Sequence, residues 1–287
     1  MKKGKKDLKI CWANAKSIEQ SDIIVIGIPD ESGSHSVQMG TAMAPDTIRK
    51  ISNTRDVYYE KEFRCLAHPV NGLGSVKIYD YGNIKKSHIA QTFESILSFP
   101  KIPISIGGDH SITTHILKAF AKKYGKISLV YFDAHPDFVS HTRNYYGSVI
   151  TDSLDYIDVK TSLQIGIRSP EEEEITNLKK SGLNVITPFD IVEKGVNYTS
   201  KLISDTIKEN TYISFDMDCL DPAYAPGVSV PVPMGLHTQD AVYFIKKITS
   251  KMIGMDIMEV CPAHDLNNVT SHLASRLIGE TISTCKV

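Results

Sequence analysis

Little in this sequence marks a specialised or anchored surface. Its 287 residues carry 33 acidic against 32 basic side chains, a formal net charge of -1. The basic excess of a nucleic-acid binder is missing. No apolar run approaches the roughly 18 residues needed to cross a bilayer, and the longest, 23–28, has only strand length. The Lys-rich start is interrupted by Asp7 and leads into no apolar segment, so it reads as a basic, solvated tail within 1–20 rather than a signal peptide. No membrane and no nucleic-acid partner is expected.

Cysteine is sparse: Cys11, Cys65, Cys219, Cys261 and Cys285 are odd in number and never spaced as CxxC. That excludes a disulfide framework and a zinc knuckle, and it fits a reducing cytoplasm. The sequons at Asn197 and Asn268 then read as chance. Low-complexity tracts, linkers and internal repeats are absent. With 41% hydrophobic and 23% charged residues, disorder is excluded as the main state. A single α/β domain over 1–287 suits the length.

What is present is an alternation. Short apolar, β-branched runs at 23–28, 76–79, 102–106, 127–132, 163–167, 184–186, 212–215 and 252–257 predict strands. Helical periodicity falls at 46–52, 87–97, 112–124, 171–180, 199–208, 238–249 and 271–283. The strands are continuous apolar runs, which predicts burial on both faces. The expected fold is α/β: a doubly wound, mostly parallel eight-stranded sheet flanked by helices, with a closed barrel as the alternative. The acidic run Glu171 to Glu174 follows Ser169 and Pro170, read as N-cap and first-turn proline, and is taken as structural. The unclustered His35, His68, His88, His115, His237 and His272 are read as surface or satisfied core groups.

Three segments differ from the rest, because each places His or Asp directly after a strand. They are 107–111 with Asp109 and His110, 133–137 with Asp133, His135 and Asp137, and 214–222 with Asp216 and Asp218. In an open α/β sheet, ligands bind at that edge. Asp133, His135 and Asp137 lie at i, i+2 and i+4, so an extended backbone would point all three to one side, and Asp216 and Asp218 repeat the spacing. Four carboxylates converging in a dry crevice repel one another unless cations are present. Two imidazoles and four carboxylates exceed one tetrahedral zinc and suit two divalent ions about 3.5–4 Å apart, for which Mn²⁺ is favoured. Gly107 and Gly108 are read as allowing a tight turn ahead of Asp109 and His110.

These segments resemble the ureohydrolase family of arginases, agmatinases and formimidoylglutamases, over most of the chain from Gly27-Ile28-Pro29 to Glu280. The most specific stretch is Ser214-Phe215-Asp216-Met217-Asp218, then Pro222, Pro226-Gly227 and Gly235. The resemblance implies an arginase-like fold and two Mn²⁺ per subunit. His110 and Asp137 would ligate the first ion, His135 and Asp218 the second, and Asp133 and Asp216 would bridge them. Asp137 would also hold a bridging hydroxide that attacks the guanidino carbon, and Glu259, in 255–262, would grip the substrate guanidinium. Agmatine cleaved to urea and putrescine is the leading implied reaction, with a trimer or hexamer as the implied assembly.

Departures from the family pattern bear on substrate and rate. A shuttle histidine is expected after 133–137, yet Tyr145-Tyr146-Gly147 stands there, which puts Tyr146 in its place and makes His141 a candidate substitute. A phenol of pKa near 10 exchanges protons less readily at neutral pH than an imidazole near 6.5. Val139 replaces the Asn that arginases use for the α-carboxylate, which disfavours arginine. Loop 36–40 lacks the arginine that agmatinases tend to carry, and Val232 replaces an acid. Pro226-Gly227-Val228-Ser229 is closer to formimidoylglutamase, making a formimidoylglutamate or guanidino-acid hydrolase the runner-up. A histone-deacetylase-like amidohydrolase is weakened by the lack of a His-His pair. The non-enzymatic alternative is a metal-binding regulatory paralogue.

Overall fold

The computed structural model describes residues 8–54, 58–60, 65–67, 73 and 75–285, with only the backbone for 58–60 and 65–67. In chain order the strands are β1 (Ile23–Gly27), β2 (Tyr58–Glu60), β3 (Cys65–Ala67), β4 (Ile78–Asn83), β5 (Ile102–Ile106), β6 (Ser128–Phe132), β7 (Leu163–Ile165), β8 (Asn184–Ile186), β9 (Thr211–Asp216) and β10 (Met252–Met258). The helices are α1 (Ala44–Ser52), α2 (Ile89–Leu97), α3 (Ile112–Tyr124), α4 (Val149–Ser153), α5 (Glu172–Ser181), α6 (Pro188–Lys194), α7 (Val196–Thr206), α8 (Thr238–Ile248) and α9 (Val269–Ile282).

Eight strands form one sheet in the order β4-β1-β5-β10-β9-β6-β7-β8, and β2 pairs with β3 as a separate antiparallel hairpin. Every pairing in the large sheet is parallel, not merely most of them. The two edges, β4 and β8, remain open, which removes the barrel alternative. Alternate strand residues feed two apolar layers. Val25, Ile104, Phe132, Phe215 and Ile257 pack with α1, α8 and α9 residues such as Ile48, Phe244 and Leu277. Ile24, Leu129, Tyr131 and Tyr212 pack with Phe93 of α2 and Ile116 and Phe120 of α3. Each fully buried Ile or Phe contributes roughly 1.5–3 kcal/mol, so a sheet buried on both faces fits the continuous apolar runs.

Several local expectations change. Helices α4 and α6 and the β2–β3 hairpin were not foreseen. Helix α5 begins after Glu171, not at Ser169, because Glu174 reaches back to accept the Glu171 N–H at 2.9 Å. Residues 1–7 of the expected tail, and His68, lie outside the described residues. From residue 10 the chain is docked: Ile10 and Trp12 are buried, and Ile10 N–H donates to Asp80 Oδ2 at 2.7 Å. Cys219, Cys261 and Cys285 are free thiols.

Candidate metal centre

The sheet order brings β5, β10, β9 and β6 side by side although they are far apart in sequence. Their C-terminal ends carry His110, Glu259, Asp216 with Asp218, and Asp133 with His135 and Asp137 respectively. Gly107 and Gly108 are needed for close approach, not for a left-handed turn: a Cβ on Gly108 would lie 1.8 Å from Asp30 O, and one on Gly107 would lie 1.9 Å from Met258 Sδ. Asp109 belongs to neither set of ligand atoms described below and instead anchors a loop, accepting the Gly33 N–H at 2.8 Å.

The carboxylates converge by turning, not by extended alternation. Asp133 Oδ1 accepts the His135 N–H at 2.6 Å, and Asp218 Oδ1 accepts the Ala134 N–H at 3.0 Å. Asp216 Oδ1 accepts the Asp218 N–H at 2.7 Å, and Asp137 adopts a left-handed φ of 49°. Such Asx turns curl the backbone around the crevice, which a reading of 2-residue periodicity misses.

Two sets of ligand atoms result, each within 4.8 Å: His110, Asp133 and Asp216, and Asp133, His135 and Asp218. Asp133 belongs to both. His110 Nδ1 lies 3.0 Å from Asp133 Oδ2, 3.0 Å from Asp216 Oδ2 and 3.5 Å from Asp137 Oδ2. His135 Nδ1 lies 3.2 Å from Asp218 Oδ2. Asp133 Oδ2 is buried and accepts no hydrogen bond. Burial and the charge of neighbouring carboxylates push Asp137 and Asp216 well above the ordinary range. Burial opposes the charge on His135, but Asp218 and Asp133 drive it up to about 12. An acceptor-rich, oxygen-dominated set with an orphaned carboxylate oxygen fits hard divalent cations.

Groups behind the ligands hold them in place. His110 Nε2 lies 2.8 Å from Ser214 Oγ, which donates to Asp256 at 2.8 Å, and Thr113 and Tyr212 hydroxyls also donate to Asp256. This fixes the imidazole so that Nδ1 faces the crevice. Tyr131 stacks on His110 at 4.6 Å, and its hydroxyl donates to Asp137. Ser214 and Asp256 stand inside the motif stretches 214–222 and 255–262, but their role depends on strand pairing and is invisible in one dimension. Tyr131 had no sequence signal.

Glu259 is 2% exposed and has a left-handed φ of 63°. Its Oε1 accepts the His110 N–H at 2.7 Å, and Oε2 accepts the Ser229 hydroxyl. Burial raises its pKa to about 8. Tyr146 is half-buried, and burial together with Glu259 and Asp137 raises its phenol pKa. His141 is held elsewhere: its side chain is 66% exposed and its Nδ1 lies 2.6 Å from Glu173 Oε2. The structure thus gathers the six expected ligands, Glu259 and Tyr146, and leaves His141 in a surface pair.

A sequence profile described as the arginase family matches residues 21–283. The agmatinase of Chromobacterium violaceum is 32% identical over 284 residues, covering 92% of this chain and 83% of that one. Among solved structures, the agmatine ureohydrolase of Thermoplasma volcanium superposes with a TM-score of 0.84 at 32% identity, covering 96% and 94% of the two chains. Formimidoylglutamase from Bacillus subtilis gives 0.82 at 30%, covering 92% and 87%.

Proposed function

The chain belongs to the arginase family as a ureohydrolase, and from that premise we propose that it hydrolyses agmatine to urea and putrescine with two Mn²⁺ per subunit. The observation that carries this reading is Asp133, shared by two ligand sets, one of which includes His110, whose backbone N–H donates to buried Glu259. His110, Asp133, Asp137 and Asp216 would hold one ion, and Asp133, His135 and Asp218 the other. When bound, such a pair supplies Lewis acidity and activates water at neutral pH.

The chain's own groups orient the substrate. Glu259 is fixed by the His110 N–H and the Ser229 hydroxyl, so its carboxylate offers a preset fork to a planar guanidinium. Tyr146, over the same acids, keeps its proton at neutral pH as an ordinary phenol does, and burial and nearby carboxylates disfavour the phenolate further. It can hydrogen-bond a departing nitrogen but relays protons slowly, so turnover is limited at that step and Tyr146→His accelerates it.

Ser229 favours a second reading, formimidoylglutamate, since it lies in the 226–229 stretch that resembles formimidoylglutamase and touches Glu259. Purified Mn²⁺-loaded protein is to be assayed with agmatine, arginine, 4-guanidinobutyrate and formimidoylglutamate, following urea or, for the last, formamide. Agmatine is expected to give the highest kcat/KM, and silence on all four overturns the enzymatic reading.

A further inference from the structure

The loop between β6 and α4 folds back over the crevice and brings two consecutive aromatic rings with it. The Tyr146 N–H donates to Gly33 O at 3.0 Å, and the Gly33 N–H donates to Asp109 at 2.8 Å, so this loop and the loop after β1 are tied to each other and to the crevice floor. His35 stacks on Tyr145 with centroids 4.8 Å apart and planes 25° apart. Tyr146 meets Tyr145 edge-on at 5.6 Å and His35 at 6.2 Å. The Tyr145 ring crosses bare backbone, because a Cβ on Gly147 would lie 2.8 Å from its hydroxyl oxygen. Burial falls outward, from Glu259 and Asp137 through half-buried Tyr146 and Tyr145 to exposed His35. Tyr146 lies close enough to feel Glu259 and Asp137, and Tyr145 to feel Asp137, so the three rings form an aromatic wall between these acids and solvent.

Carboxylates that are not expected metal ligands stand near that wall: besides burial and Asp137, Tyr145 feels the charge of Glu171 and Glu174. The basic groups nearby in sequence are engaged: Arg143 pairs with Asp152, and His141 with Glu173 at 2.6 Å. Lys86, which flanks the loop after β1, lies 3.4 Å from Asp30 and donates to Ser111 at 2.7 Å. An ammonium is attracted by π faces within about 6 Å and by these acids, whereas a carboxylate would meet both with repulsion.

We propose that His35, Tyr145 and Tyr146 form a distal subsite that takes the cationic end of the substrate, a primary ammonium on a short methylene spacer, by cation–π contact. This rests on the reading above that Glu259 anchors a guanidinium. It adds which residues select the ammonium end.

Agmatine, 1-butylguanidine and 4-guanidinobutyrate share the anchor and differ at the far end, which is an ammonium, a methyl or a carboxylate group. With the Mn²⁺-loaded protein, KM is expected to be about tenfold lower for agmatine than for 1-butylguanidine, and highest for the carboxylate. Tyr145→Leu keeps apolar bulk without the π face, and should raise KM for agmatine by about tenfold with kcat within about twofold. Tyr145→Phe keeps the face and should keep the preference, and surface-exposed His35→Leu should weaken it without endangering the fold. A wild-type preference for the carboxylate, or an equal Tyr145→Leu effect on agmatine and 1-butylguanidine, overturns the subsite. Should no urea form from any of the three, the functional reading fails instead. Calorimetric Kd values for the same compounds then decide the subsite alone, equal affinities overturning it.

Discussion

Two clusters of buried charge on this sheet are built from the same kinds of groups and close differently. At the β1–β4 edge, Arg49 Nε and Nη2 reach the two oxygens of Asp80 at 2.9 and 3.0 Å, and Arg49 also donates to Asn83 and Gly82 O. Asp80 further accepts the N–H groups of Ile10 and Gly82. Each charge there meets its opposite. At the β5-β10-β9-β6 edge, the only cationic groups within ion-pair distance of Asp133, Asp137, Asp216 and Asp218 among the described residues are two imidazoles, Glu259 adds a fifth carboxylate, and Asp133 Oδ2 has no hydrogen-bond partner. Burial pushes Asp137, Asp216 and Glu259 upward. A closed pair is structure, while an excess of acceptors in a dry crevice is stable only with positive charge from outside.

The sharpest way to break this contrast is Asp216→Ala. Mn²⁺ affinity at the His110 side should fall at least about 100-fold, beyond the roughly 10–100-fold typical of losing a supporting group behind a ligand. Elemental analysis should give about one ion per chain instead of two. Without metal the sign reverses. A buried carboxylate whose folded pKa is raised costs stability as pH climbs past the ordinary carboxylate range, because the unfolded chain ionises first. Metal-free Asp216→Ala should therefore be at least as stable at pH 7 as the metal-free parent by calorimetry. A clear loss of stability would mean that the acids at this edge are internally satisfied after all.

The counterpart at the other edge is Arg49→Ala. It strands Asp80 in a 2% exposed site and should cost about 3–5 kcal/mol in denaturant unfolding, with or without metal. Adding Asp80→Ala should recover part of the loss, since no unpaired charge then remains. Mn²⁺ content should stay at the parental level. A cost below about 1 kcal/mol would put this pair in the class of exposed salt bridges and erase the distinction.

The two clusters were not equally legible. Each of the eight strands of the sheet overlaps an expected run, and the central ones match closely because burial on both faces leaves no polar alternation to mislead, whereas edge strand β4 runs past the expected 76–79 to Asn83 with alternating burial. The crevice ligands were readable because His110, Asp133, His135, Asp137, Asp216 and Asp218 stand at or just past strand ends, where satisfied core groups are not expected. Their convergence was not readable for the reason given, since it comes from Asx turns and from β9 and β10 inserting between β5 and β6. Arg49 and Asp80 carried no signal, being 31 residues apart on different elements. Ser229, Tyr131 and the His35 ring against Tyr145 depend likewise on loops that meet only in three dimensions. His141, selected for nearness in sequence, shows the converse, since five residues of loop suffice to put it in a surface pair.

A third charged group, Asp190 at the start of α6, tests how far closure matters once water reaches the pair. Its carboxylate accepts from Lys194 at 2.6 Å and from the Thr187 N–H and hydroxyl at 2.9 and 2.7 Å. The Lys194 and Thr187 hydrogen bonds hold its pKa down to about 2. A depressed folded pKa gives stability that is present above the unfolded value near 3.8 and lost as pH falls through about 2. Because Lys194 is half exposed, screening leaves little beyond the capping term, and Asp190→Ala should cost roughly 1 kcal/mol at pH 7. The gap between variant and parent should narrow between pH 4 and 2 in thermal unfolding. Arg49→Ala should dwarf it at neutral pH, because the Asp80 carboxylate it strands cannot rehydrate where Asp190 and Lys194 can. Equal costs for the two variants would show that burial adds nothing to a pair already closed on itself.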